Sequence, residues 1–304
     1  MTFTTSLKEE ISKQEFSLIE ARCELEAFIK CCAKIEKQII ITLENASVAR
    51  KIYKDIKMVF GVNANITVRI QKRFRVKQIY ILAIKEKVDL IKESMNVNNM
   101  HVSFASDEEK IAFLQGAFLA IGNISNPQTS GYHLEFICNN IELANTIMNL
   151  LCSFNFNAKI VKRGYKLITY LKSSENISDL LKLFKATQSM FFFEDIRIYR
   201  DHKNMVNRLN NCEISNQTKS IQTGMKQLED ILYLKKHDLL DIFDEKARIV
   251  IAAREKYPEA SLIELAEIIT LEYNYKIGKS GVNHHFIKIT NVVKRHKNNN
   301  ENKS

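Results

Sequence analysis

Between Lys279 and Arg295 the chain carries side chains suited to reading double-stranded DNA. Asn283 and Asn291 can pair with adenine in the major groove, and Lys288 with guanine, with His284 beside them. Lys279, Ser280, Lys294 and Arg295 are suited to phosphate, helped by the free N–H groups at the start of a helix. Ser261, Gly281 and His285 complete this set of candidate contacts. The chemistry is hydrogen bonding and charge neutralisation, without bond making.

Such residues work only if a helix presents them. Ser261, with Glu264 three residues on, forms a capping box ahead of Leu262, Leu265, Ala266 and Ile269, which recur at helical spacing. Gly278 breaks that pattern, and Ser280 is placed to cap a second helix. There Val282, Phe286, Ile289 and Val293 form one apolar stripe, with His284, Lys288, Asn291 and Arg295 opposite. A third helix, about 244–256, turns Ala247, Val250 and Ile251 inward. A short capped helix followed by one with a dry face and a basic, amide-rich face is the pattern of a helix-turn-helix. An ordinary helical hairpin with a solvated polar face fits the same spacing. Charge favours the first: residues 276–304 hold seven basic residues and one acidic residue.

A second basic stretch lies far upstream. Arg69, Arg73, Arg75 and Lys77 occupy odd positions, while Val68, Ile70, Phe74 and Val76 are even. If extended, the stretch has one basic side, which could lie along phosphates. A turn near residues 71–73 would make it a solvated hairpin tip instead.

The whole chain agrees with a polyanionic partner. It has 304 residues, 45% of them hydrophobic, and a net charge of +10. That length suffices for two or three domains with real cores. No apolar run reaches membrane-spanning length, and the polar start MTFTTSLKEE lacks a signal-peptide core, so a cytoplasmic protein is expected. The cysteines at 23, 31, 32, 138, 152 and 212 lie mostly in apolar runs, and Cys31–Cys32 lacks zinc-knuckle spacing. No metal or cofactor is expected.

Upstream of the C-terminal helices one element order occurs twice. Helix 18–33, strand 38–43, helix 45–60, strands 65–70 and 78–84 and a helix from 88 are followed by helix 108–121, strand 132–138, helix 141–154, a hairpin of 158–162 with 165–172, and helix 177–187. Asn45, Ala49 and Ile52 align with Asn140, Ala144 and Ile147. The fold class is α+β: a duplicated domain of two pseudo-symmetric α-β-α-β-β-α halves, 1–103 and 104–200, then an all-α domain. Residues 201–235 read as an amide-rich bridge, looped in its first part because Asn side chains compete with helical backbone bonds, with a linker helix after it. The all-α domain spans 236–296, and 297–304 reads as a disordered tail.

Five segments resemble the bacterial WhiA family: Ser6-Leu7-Lys8-Glu9-Glu10; Phe113-Leu114-Gln115-Gly116-Ala117-Phe118-Leu119-Ala120; Asn207-Arg208-Leu209-Asn210-Asn211-Cys212-Glu213; Pro258-Glu259-Ala260-Ser261-Leu262 with Leu265-Ala266; and Lys279-Ser280-Gly281-Val282-Asn283-His284. The resemblance covers almost the whole chain. It implies a LAGLIDADG homing-endonuclease-like domain joined to a helix-turn-helix similar to the promoter-reading domain of sigma factors. It also implies roles in transcription regulation, cell division and chromosome segregation, with double-stranded DNA as the partner. The chain departs from the family at Leu265-Ala266, at the connector TLEYNYKIG, and at His285, where a basic residue is usual.

In homing endonucleases each of two packed helices ends in an acid that holds catalytic Mg²⁺. Aligned on that motif, this chain has Cys32 and Ile121 at the two acid positions, and shifts of one residue offer Cys31 or Ala33 and Ala120 or Gly122. None is a hard-metal ligand like a carboxylate. The small residues Ala27, Gly116 and Ala120 keep the helix packing, so the expectation is a retained scaffold without nuclease chemistry. The alternative function is a protein–protein scaffold docking on RNA polymerase or a division factor, with only weak DNA contact. Oligomeric state stays open.

Overall fold

In the computed structural model the described residues are 2–71, 77–97, 99, 102–129 and 131–301. They divide into two compact units, 1–201 and 202–304.

The first unit is built on two helices, α2 (Leu18–Cys32) and α5 (Asp107–Ile121), each leading into a sheet. α2 starts at a capping box in which Ser17 and Glu20 satisfy each other's backbone N–H groups. α5 starts at Ser106, whose hydroxyl accepts from Glu109 N. Both helices are apolar on more than one face because both are packed on more than one side. They cross at Gly116, where an added Cβ would lie 2.2 Å from the Glu24 carbonyl oxygen.

After α2 come β1 (Lys34–Ile35), β2 (Ile39–Leu43), α3 (Ala46–Phe60), β3 (Asn65–Gln71), β4 (Lys77–Ile84) and α4 (Val88–Ser94). After α5 come β5 (Gly122–Ile124), β6 (Leu134–Cys138), α6 (Ile141–Ser153), β7 (Lys159–Arg163), β8 (Lys166–Leu171) and α7 (Ser174–Leu183). Helix α1 (Phe3–Ser12) precedes both sets. The sheets are antiparallel with matching orders, β1-β2-β4-β3 and β5-β6-β8-β7, so the element order repeats as a true structural duplication. The strands β1 and β5 were not expected; at two and three residues they carry no alternation to read.

Register decides which side chains enter the core. Ile39 stands opposite Ile84 and Ile41 opposite Leu82 in one sheet; Leu134 stands opposite Leu171 and Phe136 opposite Thr169 in the other. These positions are buried, and with Leu25, Phe28, Ile52, Ile56, Phe113, Phe118, Ile147 and Leu181 they form one continuous core. α3 ends where Gly61 adopts φ 64°, with its N–H bonded to Lys57 O at 2.9 Å.

A charged cluster lies within this apolar body. Lys51 Nζ is 2.9 Å from Glu24 Oε2 and 3.8 Å from Asp55 Oδ2, and donates to Gln14 O at 3.2 Å. Burial raises the Glu24 carboxyl well above its usual range, against the pull of Lys51, and raises Asp55 in the same way. A raised carboxyl pKa means the folded state holds a proton the unfolded chain releases above about pH 4.5. Its contribution is therefore complete below that pH and is lost as pH rises through the folded value. Urea unfolding of Glu24→Gln, measured from pH 4 to 8, should show a smaller fall in stability with pH than the parent chain. An unchanged slope would remove Glu24 from this account.

Helix α8 (Thr187–Lys236) is one helix of 50 residues, which corrects the expected loop in the amide-rich bridge. From Thr187 to Thr223 there is no Gly or Pro, and each Asn costs only a few tenths of a kcal/mol against other polar residues. Thr218 and Thr223 turn their hydroxyls onto the carbonyls of Ile214 and Lys219, inside the helix. Among the described residues no helix is long and apolar enough to cross a membrane.

In the second unit α9 (Glu245–Lys256), α10 (Leu262–Glu272) and α11 (Lys279–Glu301) surround the C-terminal part of α8. Ile231, Leu234, Val250, Ile251, Leu265, Ile269, Val282, Phe286, Ile289 and Val293 make its core. α11 extends to Glu301, so most of the expected disordered tail is helical. Tyr233 OH lies 3.0 Å from His296 Nδ1, which fastens α11 just before this extension. Lengthening an existing helix adds a hydrogen bond for each residue fixed, without a new nucleus.

Candidate nucleic-acid interface

The turn before α10 is organised by a single guanidinium. Arg254, at the end of α9, is 1% exposed. Its Nη1 donates to the carbonyls of Tyr257 and Pro258, at 3.3 and 3.2 Å, and to that of Ala260. Its Nε donates to Gln227 Oε1 on α8 at 3.1 Å, and its plane lies 5.4 Å from the Phe286 ring on α11. One side chain thus ties α8, α9, the Pro258–Ala260 turn and α11 together. Burial lowers it to about 10, so it stays charged at neutral pH. α8 comes so close to this turn at Gly224 that a Cβ there would lie 2.4 Å from Pro258 O.

α10 begins with the expected capping box: Ser261 Oγ accepts from Glu264 N at 3.2 Å, and Glu264 Oε2 accepts from Ser261 N at 2.6 Å. The backbone N–H of Ser261 and its hydroxyl hold the Glu264 carboxyl below its usual value. Ser261 therefore spends its hydroxyl on the helix. Lys256 and Tyr257 both bind Glu272, fastening α9 to the far end of α10.

α11 starts one residue before the expected cap. Val282 N donates to Gly278 O at 3.1 Å, so Gly278 occupies the flanking position and Ser280 lies inside the first turn. The N–H groups of Lys279, Ser280 and Gly281 precede the first intrahelical bond and so have no acceptor within the helix. Gly281 is half-buried against Ile277, whose side chain leaves no room for a Cβ.

Along α11, Val282, Phe286, Ile289 and Val293 are buried, while Asn283, His284, Lys288, Asn291, Lys294 and Arg295 are exposed. Ile287 joins this exposed set, an apolar group among polar ones. Thr290, at the border, donates to Asp230 Oδ2 on α8 at 2.7 Å.

His285 is the departure from expectation. It is 9% exposed, its Nδ1 has no partner among the described residues, and burial lowers its pKa. It stands three residues after Val282 and four before Ile289, on the buried stripe. Helical arithmetic alone could have found this.

The upstream basic stretch divides. β3 and β4 pair antiparallel, with Gln71 opposite Lys77, so Arg69 and Lys77 stand on two neighbouring strands. Arg69 is exposed on β3, opposite Ile79. Arg73 and Arg75 lie outside the described residues. The second sheet holds the expected hairpin of 158–162 with 165–172, and it is basic: Lys159, Lys162, Arg163 and Lys166 are exposed around a tip of Gly164 and Tyr165. The signal was the charge density of KIVKRGYK.

The ends of α2 and α5 do not suit a hard metal ion. Cys32 donates its thiol to Phe28 O at 3.3 Å, and burial pushes that thiol up to about 12, so it stays protonated. Ile121 offers no donor. Among the described residues no group of three or more His, Cys, Asp or Glu side chains could hold a metal.

Three family models match the chain: "WhiA N-terminal LAGLIDADG-like domain" over residues 19–97, "WhiA LAGLIDADG-like domain" over 110–203 and "WhiA C-terminal HTH domain" over 206–293. Among similar proteins, the "Probable cell division protein WhiA" of Staphylococcus aureus strain JH9 is 35% identical over 311 residues, covering 98% of each chain. The protein of the same name from strain Newman gives the same values. A crystal structure of full-length DUF199/WhiA from Thermatoga maritima superposes with a TM-score of 0.59 at 24% identity, covering 97% of this chain and 99% of that one.

Proposed function

The chain belongs to the WhiA family, and from that premise we propose that it is a sequence-specific DNA-binding regulator of transcription that acts in cell division and chromosome segregation. It works in the cytoplasm, on the nucleoid. The observation that carries this reading is the division of α11 into a buried apolar stripe and an exposed row of Asn283, His284, Lys288, Asn291, Lys294 and Arg295. Asn283, His284, Lys288 and Asn291 read base edges. Lys279, Ser280, Lys294 and Arg295 hold phosphates, and Ser261 and Gly281 shape the turn that aims them. The duplicated domain is a scaffold without nuclease activity, since neither Cys32 nor Ile121 can hold a catalytic cation.

The test is selection of genomic fragments by the full chain across a salt series. Lys288→Ala with Asn291→Ala should lose discrimination between preferred and random fragments by about 10-fold or more, at about 1–3 kcal/mol for each base-reading pair. Lys294→Ala should weaken all fragments alike and lower the salt slope by about one. If the double variant enriches the same fragments as the parent chain, α11 is not the reader.

A second reading, a protein-docking scaffold with weak DNA contact, draws on α8. Met205, Val206 and Leu209 are exposed and fall within one side of that helix. RNA polymerase or a division factor would be the partner. Under this reading Arg69→Glu leaves DNA affinity and its salt slope unchanged.

A further inference from the structure

The first unit contains a cavity of about 620 Å³ whose lining includes Thr5, Lys8, Thr42, Glu44, Gln78 and Asn123. Leu119, Ala120 and Gly122, at the end of α5, form part of its wall. It therefore lies at the foot of the helix pair, where an active homing endonuclease would hold its metal. The cavity's cation comes from a different element: α1, which precedes both halves.

We propose that this cavity binds a phosphoryl group, with the Lys8 ammonium supplying the positive charge that a divalent cation supplies in a metal-dependent nuclease. Lys8 has no hydrogen bond or ion pair to any described residue. Its nearest aromatic neighbour is Phe118, with Nζ 5.7 Å from the ring centroid. Two further groups act on it electrostatically, Cys32 and Glu44. Cys32 remains a neutral thiol and cannot balance the charge. Glu44 is exposed, so water and salt screen its pull. The result is an under-compensated ammonium that burial pushes down to about 8. A half-buried cation short of acceptors is stabilised by an anion that brings several oxygens.

The rest of the cavity offers donors for such oxygens. Gln78 accepts from Tyr80 OH at 2.8 Å through Oε1, which leaves its amide N–H groups for a ligand. Thr42 is exposed on the wall, and the hydroxyl of Thr5 is paired with that of Thr2 at 2.8 Å. One carboxylate, Glu44, shares the cavity and limits affinity without removing the site's positive focus. The phosphoryl group comes either from a DNA backbone laid on the sheets or from a small phosphate. This inference is independent of α11.

The test reads Lys8 directly in the full chain. Lysines are reductively methylated with ¹³C-formaldehyde, and the Lys8 signal is identified by its loss in Lys8→Met. Its titration midpoint is followed in chloride, in inorganic phosphate at equal ionic strength, and with a 20-base-pair duplex. The free midpoint is expected near 8, and phosphate should raise it by at least about one pH unit, toward the ordinary 10.5. A duplex that raises it equally, also in the Lys288→Ala/Asn291→Ala background, identifies backbone phosphate as the source. A rise with inorganic phosphate alone identifies a small-anion site. If neither moves the midpoint beyond the chloride control, the proposal fails, whatever α11 does.

Discussion

Arg254→Met should destabilise the second unit by about 3 kcal/mol or more, and DNA affinity should fall with it. Methionine fills similar volume, so the loss comes from hydrogen bonds. The substitution strips the carbonyls of Tyr257, Pro258 and Ala260 of their common donor and leaves Gln227 Oε1 unpaired. Each buried acceptor left unsatisfied costs about 1–3 kcal/mol, and water can relieve only those near the surface. The Pro258–Ala260 turn sets the start of α10, and Phe286, under the guanidinium, sets the tilt of α11. The helix proposed to read DNA should therefore lose its aim as well as its support. Arg254→Lys keeps charge but not the fork that reaches α8 and the turn together, so it should recover only part of the stability. The check is chemical denaturation of the full chain beside fragment binding. A change within about 0.5 kcal/mol, the range of an ordinary surface substitution, would show that the turn holds without the guanidinium.

Arg254 also marks the boundary of what the sequence could tell. The stripe Val282, Phe286, Ile289, Val293 was legible because a helix repeats at fixed spacing, and every member is buried. The Ser261–Glu264 cap was legible because both partners lie within one turn. The duplication was legible because two copies of one pattern reinforce each other, and the sheets have the same order. Arg254 was not, since its partner Gln227 lies 27 residues upstream and its other acceptors are backbone atoms with no residue signature. Lys8 was read as part of a family-like opening segment; only the packing of α1 puts it beside Cys32 and the foot of α5.

In the α8 stretch the absence of a helix breaker over Thr187 to Thr223 outweighs local competition from Asn side chains. For Arg69 and Lys77 the spacing left two arrangements open, one extended strand or a hairpin, because parity alone does not report strand pairing; Gln71 stands opposite Lys77. His285 has the chemistry of a DNA contact, but its position puts it on the dry stripe. Residue type suggested function there, but spacing decided exposure.

Gly116→Val should be the most damaging single change in the first unit, and the reason lies in backbone rather than side chain. At the crossing of α2 and α5, a Cβ on residue 116 would meet Glu24 O at 2.2 Å, Glu24 C at 2.9 Å and Glu24 Cα at 3.0 Å. A side chain could rotate away, but a helix backbone cannot, so α2 and α5 must separate along their length. Alanine alone should cost about 1–3 kcal/mol, the usual range for overpacking. Valine should cost more, because its two γ carbons enlarge the clash and restrict its own rotamer within the helix. The damage spreads in two directions. On one side, Glu24 carries the buried cluster with Lys51 and Asp55, and displacing α2 disturbs the 2.9 Å contact. On the other, neighbouring Gln115 donates to Phe184 O at 2.9 Å and to Gln14 Oε1 at 3.1 Å, tying α5 to the segments before α2 and after α7. Because the crossing and the cluster share α2, Gly116→Ala and Glu24→Gln should not add in a double-mutant cycle, with a coupling of about 0.5 kcal/mol or more. Thermal and urea unfolding of these four chains and of Gly116→Val measures both quantities. Additive effects would mean that the helix crossing and the ion cluster are separate features of the core. A Gly116→Val chain as stable as the parent would mean that α2 and α5 can part at no cost, which their packing on both sheets argues against.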